Sequence, residues 1–186
     1  MDAFVKIDAA GISHRDIKEE NILVTRDRAT GKGKIKIIDF GLGALVEDSP
    51  FSDVAGTKEY YSPEMVRGET YHHEPATVWS LGVLLYSIVC GEEPFPTREE
   101  ILEHKICFSG KELSSECRSL ISMCLEFLPE DRPSLGDIHR HPWVTHRNKT
   151  ENLKIKRLTG TLKPDRIRRK ENDMKQKLLK YHAESL

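Results

Sequence analysis

The sequence predicts a mainly α-helical domain that carries one small β-hairpin, an α+β fold, and three features predict it. Two short runs of β-type residues, 22–25 and 34–38, flank a polar segment that contains glycines, which is turn chemistry. Residues 78–90 form the longest mostly apolar run, and Pro75 before it is typical of a helix start. Residues 114–128 place apolar side chains at helical spacing behind a capping serine.

Length and charge divide the chain into two parts. The 186 residues leave room for one domain of moderate size and an extension. Residues 1–145 carry 16 Lys and Arg against 25 Asp and Glu, a net charge of −9, whereas residues 146–186 carry 13 against 5, a net charge of +8. We therefore expect a folded domain over 1–145 and a basic C-terminal extension over 146–186, disordered or partly helical. Such a split favours self-association in cis or a basic peptide as partner.

The remaining composition indicates a reducing environment and no membrane span. The four cysteines have no Cys-x-x-Cys spacing, so we expect reduced thiols inside a cell. We expect the protein to be located in the cytoplasm, with the nucleus as a second expected location. The 13-residue apolar run at 78–90 is shorter than the ~20 residues that cross a bilayer. The eight histidines lack cysteine or carboxylate partners at zinc-ligand spacing and are expected to serve packing or the surface.

Residues that can carry chemistry flank the predicted hairpin. Residues 14–21 read His-Arg-Asp-Ile-Lys-Glu-Glu-Asn, and the triplet Asp-Phe-Gly begins at Asp39. If the two runs pair as an antiparallel hairpin, Asn21 lies opposite Asp39. An amide oxygen and a carboxylate about 5 Å apart across a strand pair can share a hard cation such as Mg²⁺. Asp16 and Lys18 lie on the loop that leads into the same place.

At these residues the sequence resembles a protein kinase, with His-Arg-Asp-x-Lys-x-x-Asn as its catalytic loop and Asp-Phe-Gly as its metal-binding triplet. Either motif alone is usually a solvated turn or a strand end. The presence of both motifs, in this order along the chain, favours a catalytic role. The resemblance implies the fold of a kinase large (C-terminal) lobe over residues 1–145, and Lys18 is typical of the serine/threonine class. Thr77 occupies the position where kinases usually have an aspartate, directly before Val-Trp-Ser-Leu-Gly. The PIM serine/threonine kinases also lack this aspartate, and residues 11–145 are similar to them.

The resemblance implies transfer of the γ-phosphoryl group of ATP to a serine or threonine hydroxyl group. Asp16 would accept or orient the hydroxyl proton, and Lys18 would stabilise the transferring phosphate. Asn21 and Asp39 would hold Mg²⁺ that bridges the phosphate oxygens. Thr57 would lie against Asp16 and Lys18 and shape the floor under the acceptor hydroxyl.

By the same resemblance, the stretch between Gly41 and Glu64 is the activation segment. Arg15 needs an anion to order this segment, and Asp53 could supply a fixed charge in place of a phosphothreonine. We therefore expect the full-length protein to be active without activation-loop phosphorylation; the alternative is that Asp53 is a solvated loop residue. Glu64 and Arg132 resemble the ion pair that anchors the segment to the large lobe, a structural role.

The resemblance to PIM kinases implies substrates with basic residues upstream of the target. Carboxylates of Glu20 and, less so, Glu19 could pair with substrate arginines; the alternative is an ordinary acidic loop. Thr159 follows a basic stretch that looks like such a substrate, so it could be a self-phosphorylation site, or the tail could inhibit. Mass spectrometry of Thr159 tests the first idea, and deletion of 146–186 tests the second. A helix over 165–181 is plausible; no module there predicts nucleic-acid binding.

The sequence shows no Gly-x-Gly-x-x-Gly loop and no Val-Ala-x-Lys strand before the catalytic loop. We therefore expect the small lobe to be missing from this chain, and the chain as given to have little or no phosphotransferase activity. The alternative function is a non-catalytic kinase lobe that acts as a protein-interaction module. A monomer is expected in either case.

Overall fold

The computed structural model describes residues 1–26, 33–108 and 112–145. The expectations for Thr159 and for a helix over 165–181 lie outside these residues. In chain order the elements are α1 (Asp2–Ala9), β1 (Ile12–Ser13), β2 (Ile22–Arg26), β3 (Gly33–Ile37), β4 (Ala44–Leu45), α2 (Pro63–Arg67), α3 (His73–Cys90), α4 (Arg98–Glu103), α5 (Ser115–Cys124), α6 (Leu135–Arg140) and α7 (Pro142–Thr145). Single 3₁₀ turns occur at Glu19–Asn21, Lys58–Tyr60 and Pro129–Asp131.

The long helix α3 lies at the centre of the domain. It starts two residues before the proline that predicted it, and Gly91 ends it in a left-handed conformation with φ of 77°. A helix that is apolar on nearly every side has to be buried on nearly every side. Accordingly, α3 contributes to two apolar clusters, one around Trp79 and Ile121 and another around Val78 and Leu120. The predicted buried helix is confirmed.

Helices α3 and α5 approach each other at a glycine. A Cβ atom on Gly82 would lie 2.8 Å from the Cβ of Cys124 and 2.8 Å from the Cδ2 of Leu125. The helix after Ser114 was expected to continue through Leu128, but α5 ends at Cys124 and Leu128 is 46% exposed. Pro129 disfavours helical backbone at Leu128, the residue before it, but α5 already ends four residues earlier.

The predicted hairpin is present with a different register. Strands β2 and β3 pair antiparallel with Ile22 opposite Ile37, and the N–H group of Ile38 donates to the carbonyl oxygen of Asn21 at 2.9 Å. Asn21 therefore lies opposite Ile38 and not opposite Asp39, which is a correction of one residue. Asp39 has a φ of 66°, so the extended backbone of the strand has ended before it.

The hairpin exposes two apolar side chains, on the same face as Ile22 and Ile37, which pack against the core. Val24 and Ile35 are cross-strand partners, and 46% and 50% of their surfaces are exposed. The second sheet is also a two-stranded antiparallel pair, in which β1 brings the start of the catalytic loop beside β4.

Two helix caps agree with local sequence signals. The side chain of Ser114 accepts from the N–H group of Cys117 at 3.2 Å. Ser134 and Asp137 form a reciprocal capping box at the start of α6. Within the part of the chain that the structure describes, no helix has both the length and the apolar character that a membrane span requires. The architecture is the mainly helical fold with a small hairpin that the sequence predicts.

Candidate active site

Three side chains of the catalytic loop and the activation segment form a closed set of polar contacts. The Nζ of Lys18 donates to the Oγ1 of Thr57 at 2.6 Å, and the Thr57 hydroxyl group donates to the Oδ1 of Asp16 at 2.6 Å. The Nζ of Lys18 also lies 2.8 Å from the Oδ2 of Asp16. Only 22% of the Lys18 side chain and 11% of the Asp16 side chain are exposed. The contact of Thr57 with both residues, which the resemblance implied, is present.

The carboxyl group of Asp16 is held in its ionised form. Burial raises its pKa, but hydrogen bonds from Lys18 and Thr57 and the positive charge of Lys18 outweigh burial, and the pKa falls below its usual value. Asp16 is therefore an acceptor at neutral pH and can receive a hydrogen bond from a substrate hydroxyl group.

Asn21 is fixed to Asp16 and presents an oxygen. Its side-chain amide donates to the carbonyl oxygen of Asp16 at 2.8 Å and to the Oδ2 of Asp16 at 3.0 Å. Asn21 is 4% exposed. Because the nitrogen makes both contacts, the Oδ1 atom is left as the group that can bind a cation.

Asp39 supplies the second oxygen-bearing side chain. It is exposed, and its Oδ1 accepts from the N–H group of Gly41 at 3.3 Å. Amide and carboxylate oxygens are ligands that suit Mg²⁺, which keeps several waters and binds phosphates. Among the described residues no group of three or more His, Cys, Asp or Glu side chains could cage a metal. The donor set therefore fits an ion that is shared with a phosphate ligand.

His14 links the catalytic loop to the hairpin, a role that the sequence did not indicate. Its Nε2 lies 3.1 Å from the carbonyl oxygen of Ile38, and its Nδ1 accepts from the N–H group of Asp16 at 3.3 Å. Burial lowers the pKa of His14. A neutral ring with the proton on Nε2 satisfies both contacts, and the Phe40 ring packs against it at 4.5 Å.

Arg15 reaches the activation segment. Its Nη2 donates to the Oδ2 of Asp53 at 2.5 Å and to the carbonyl oxygen of Asp53 at 3.0 Å. The hydrogen bond from Arg15 holds the pKa of Asp53 below its usual range. The guanidinium group also lies over the ring of Phe51, 4.7 Å from its centre. Arg15 has a φ of 64°, a left-handed conformation that is rare outside glycine.

Tyr71 completes the Arg15–Asp53 contact and carried no signal in the sequence. Its hydroxyl group accepts from the Nη2 of Arg15 at 3.2 Å and donates to the carbonyl oxygen of Asp53 at 3.0 Å. Tyr71 is 5% exposed and forms an isolated β-bridge with Phe51. One tyrosine thus joins the catalytic loop, the activation segment and the stretch that precedes α3.

Gly56 allows the two loops to touch. It has a φ of 108°, and a Cβ atom at this position would lie 2.4 Å from the carbonyl oxygen of Arg15. The next residue is Thr57, so this close approach sets the position of the Thr57 hydroxyl group between Lys18 and Asp16.

Glu64 and Arg132 form a buried, bidentate ion pair. Nη1 and Nη2 of Arg132 donate to Oε1 and Oε2 of Glu64 at 2.7 and 2.8 Å, and the exposed fractions are 0% for the Arg132 side chain and 6% for that of Glu64. Arg132 also donates to the carbonyl oxygens of Glu126, Pro75 and Phe127. Burial raises the pKa of Glu64, but Arg132 outweighs it and the pKa is lowered.

The charges of three carboxylates act on the hydroxyl group of Tyr60. Burial raises the pKa of Tyr60 to about 12; a hydrogen bond with the backbone of Glu19 opposes this rise, and the charges of Glu19, Glu20 and Glu93 add to it. Glu19 and Glu20 are exposed in the 3₁₀ turn before β2. Glu93 comes from the loop after α3, and nothing in the sequence indicated that its charge reaches Tyr60.

The helical lobe, the hairpin and the catalytic-loop contacts define a protein kinase domain. Residues 1–144 match the family described as "Protein kinase domain", and the chain belongs to this family. Its relatives are serine/threonine kinases. The chain is 52% identical over 134 residues to "Serine/threonine-protein kinase pim-2" of Danio rerio, which makes it PIM-like. It is 41% identical over 135 residues to "Serine/threonine-protein kinase PSK1" of Saccharomyces cerevisiae and 40% identical over 136 residues to "Serine/threonine-protein kinase prk-2" of Caenorhabditis elegans.

The chain spans less than half the length of these curated relatives. The matches cover 72% of this chain in each case, but 42% of the pim-2 kinase, 10% of PSK1 and 30% of prk-2. The similarity therefore concerns the domain built by residues 1–144.

Proposed function

We propose that this chain provides the catalytic lobe of a protein serine/threonine kinase, which transfers the γ-phosphoryl group of ATP to serine or threonine of basic protein substrates. The observation that supports the proposal best is the closed set of contacts among Asp16, Lys18 and Thr57, with Asn21 bonded to Asp16. A lobe used only for binding would not need an ionised acceptor, a cation and a free amide oxygen at one place.

Each residue has a role that follows from its contacts. Asp16, with its lowered pKa, accepts the hydrogen bond of the substrate hydroxyl group and orients its oxygen toward the phosphate. Lys18 lies 2.8 Å from Asp16 and places a positive charge where the transferring phosphoryl group passes. Thr57 fixes both side chains. Asn21 and Asp39 would hold Mg²⁺, which would supply neutralising charge at the phosphates of bound ATP.

Positioning and charge complementarity carry most of the expected rate, because phosphoryl transfer needs little covalent chemistry from the protein. The side chains of this site are already locked by mutual hydrogen bonds, so little has to reorganise when the substrates bind. The Asp53 carboxylate would hold Arg15 and the activation segment in the same arrangement without a phosphate group.

The test is phosphate transfer from labelled ATP to an arginine-rich serine peptide by the full-length protein. Asp16→Asn keeps the shape of the side chain but removes its charge, and we expect kcat to fall by about 10²–10⁴-fold. The matched control is Asp48→Asn, an exposed position in the activation segment, which should leave kcat unchanged. Full activity of Asp16→Asn would contradict the proposal, and a wild type without magnesium-dependent ATP binding would favour an interaction module.

We further propose that Glu20, with Glu19 beside it, recognises basic residues of the substrate. Both carboxylates border Tyr60 close to the catalytic loop, so they can pair with arginines upstream of the target residue. Glu20→Lys should lower kcat/KM for an arginine-rich peptide, whereas kcat/KM for an arginine-free peptide should not change. An unchanged ratio between the two peptides would show that Glu20 is an ordinary loop residue.

A further inference from the structure

Two of the four cysteines meet at the hydroxyl group of Tyr86, near the end of α3. Tyr86 and Cys90 are four residues apart on this helix, so their side chains lie on the same face. The Tyr86 hydroxyl group donates to the carbonyl oxygen of Cys107 at 2.6 Å, and the Tyr86 ring lies 5.7 Å from that of Phe108. The backbone at Cys107 therefore packs against the face of α3 that carries Cys90.

The electrostatics of Tyr86 agree with this geometry. Burial raises the pKa of Tyr86 to about 12, and Cys90 adds to the rise through its charge and through a hydrogen bond with its thiol. The charge of Cys107 contributes in the same direction. The Tyr86 hydroxyl group thus contacts the thiol of Cys90 and the backbone of Cys107.

The four thiols differ in accessibility. Cys107 is exposed, Cys90 is 8% exposed, and Cys117 and Cys124 are each 2% exposed. Burial also raises the pKa of Cys124 to about 12, which suppresses its thiolate. An exposed thiol next to a more buried one is the arrangement in which the first reacts with an oxidant and the second resolves the product.

The segment that carries Cys107 is irregular and packs beside α3. Residues 105–108 contain neither helix nor strand, whereas Cys90 lies in the last turn of α3. A disulfide needs its two Cα atoms about 4.4–6.8 Å apart. A link between Cys107 and Cys90 therefore has to form beside Ile106 and Phe108, which pack against the apolar cluster around Trp79.

We propose that Cys107 is a peroxide-sensitive site and that Cys90 resolves it into an intramolecular disulfide. The Cys107 thiolate attacks one oxygen of hydrogen peroxide, the O–O bond breaks, and sulfenic acid and hydroxide form. The Cys90 sulfur then attacks the Cys107 sulfur, an S–S bond replaces the S–OH bond, and the departing hydroxide takes the Cys90 proton as water. The two electrons lost by the thiol pair reduce the peroxide. A thiol reductant reverses the change.

The link would act close to Glu93, whose charge reaches Tyr60 together with those of Glu19 and Glu20. Glu93 follows Cys90 by three residues and is one of the carboxylates beside Tyr60. A bond that fixes the end of α3 to the segment after α4 restrains the loop that carries Glu93. Formation of the disulfide requires only the two thiols and an oxidant, and it does not depend on kinase activity.

The experiment uses the 186-residue chain, reduced, then treated with hydrogen peroxide, blocked with N-ethylmaleimide in denaturant and digested with trypsin without reduction. Trypsin places each cysteine on its own peptide: 68–98 for Cys90, 106–111 for Cys107, 112–118 for Cys117 and 119–140 for Cys124. We expect two of the four thiols to be lost and peptide 68–98 to be joined to peptide 106–111. Dithiothreitol should restore all four thiols.

Three variants make the result specific. Cys107→Ser should lose no thiol under the same treatment, and Cys90→Ser should accumulate sulfenic acid on peptide 106–111, which dimedone captures. Cys117→Ser is the matched control and should still form the link. Four surviving thiols, a link through Cys117 or Cys124, or a Cys107 link between two chains would each overturn the proposal, whatever the outcome of the phosphate-transfer assay.

Discussion

At the scale of single residues, the Arg15 side chain depends on Asp53 for its position. The two side chains meet at 2.5 Å, and although 68% of Asp53 is exposed, it supplies the charged acceptor for a guanidinium group that is only 10% exposed. We expect Asp53→Ala to lower kcat of the full-length protein by about tenfold, because the activation segment loses the anion that orders it.

The measurement is kcat with a fixed peptide, on protein that mass spectrometry shows to be unphosphorylated in the activation segment. Asp48→Ala removes a carboxylate from an exposed position of the same segment and should have no effect. If Asp53→Ala matches wild type, Asp53 is a solvated residue and the activation segment is ordered by other contacts.

The pair Glu64–Arg132 is a second prediction at this scale. Glu64→Gln leaves the buried guanidinium group of Arg132 without its counter-charge, and we expect a loss of ~3–5 kcal/mol in the free energy of unfolding. Urea unfolding measures it. Glu69→Gln removes a carboxylate from the exposed pair with Arg67 and should change stability by less than about 1 kcal/mol. Equal effects of the two substitutions would contradict the structural role of Glu64.

The same pair gives stability a pH dependence of known sign. The pKa of Glu64 is lowered in the fold, so the unfolded chain binds its proton more tightly. The stabilisation is complete above the unfolded pKa of about 4.3 and is lost as pH falls through the lower folded value. Asp16 and Asp53 act in the same direction. Glu64→Gln should therefore reduce, without abolishing, the loss of stability below about pH 4.3.

At the scale of elements, the contact between the activation segment and the catalytic loop rests on Gly56. Gly56→Ala would place a methyl group 2.4 Å from the Arg15 carbonyl oxygen, so the segment has to move and Thr57 moves with it. We expect a larger loss of kcat than of stability. Gly68→Ala is the control: its φ of 72° is equally unsuited to alanine, but nothing lies within 4 Å. Comparable kcat values for both variants would show that the close approach does not matter.

The packing of α3 on α5 depends on Gly82. Gly82→Ala brings a methyl group within 2.8 Å of Cys124 and Leu125, and we expect a loss of about 1–3 kcal/mol of stability because the helices must separate. Gly136→Ala in α6 meets only the flexible end of Arg140 at 3.4 Å and should gain up to ~1 kcal/mol from helix propensity. Thermal and urea unfolding compare the two. A neutral Gly82→Ala would mean that the core tolerates extra volume at this crossing.

At the scale of the whole molecule, we propose that residues 1–145 are an autonomous folding unit. Residues 1–145 contain buried apolar clusters that form a core of their own. A protein ending at residue 145 should unfold cooperatively, with the same midpoint as the 186-residue chain. Loss of cooperative unfolding would place part of the folding energy in residues 146–186.

Features that depend on a continuous stretch of residues could be predicted from the sequence. Helix α3, the hairpin and the catalytic loop each have a contiguous signal, and the buried helix and fold class follow from them. The hairpin register could also have been predicted, because the observed pairs Ile22–Ile37 and Val24–Ile35 place apolar residues on one face, whereas the expected pairing would have placed Val24 opposite Lys36. Tyr71 and Glu93 reach the site from other parts of the chain, so only the tertiary fold reveals them. The expected pairing of Arg15 with Asp53 came from the resemblance rather than from any local pattern.

Arg15 and Asp39 both adopt left-handed backbone conformations, with φ of 64° and 66°. Such conformations cost non-glycine residues of order 1 kcal/mol or more, and glycine or asparagine relieves the cost. A library of variants screened for heat resistance alone should therefore enrich Asp39→Asn, whereas at Arg15 the side-chain bonds to Asp53 and Tyr71 oppose the same gain. The enriched proteins would survive higher temperatures with their phosphate chemistry impaired, so any effort to make this domain more robust has to be screened for activity at the same time.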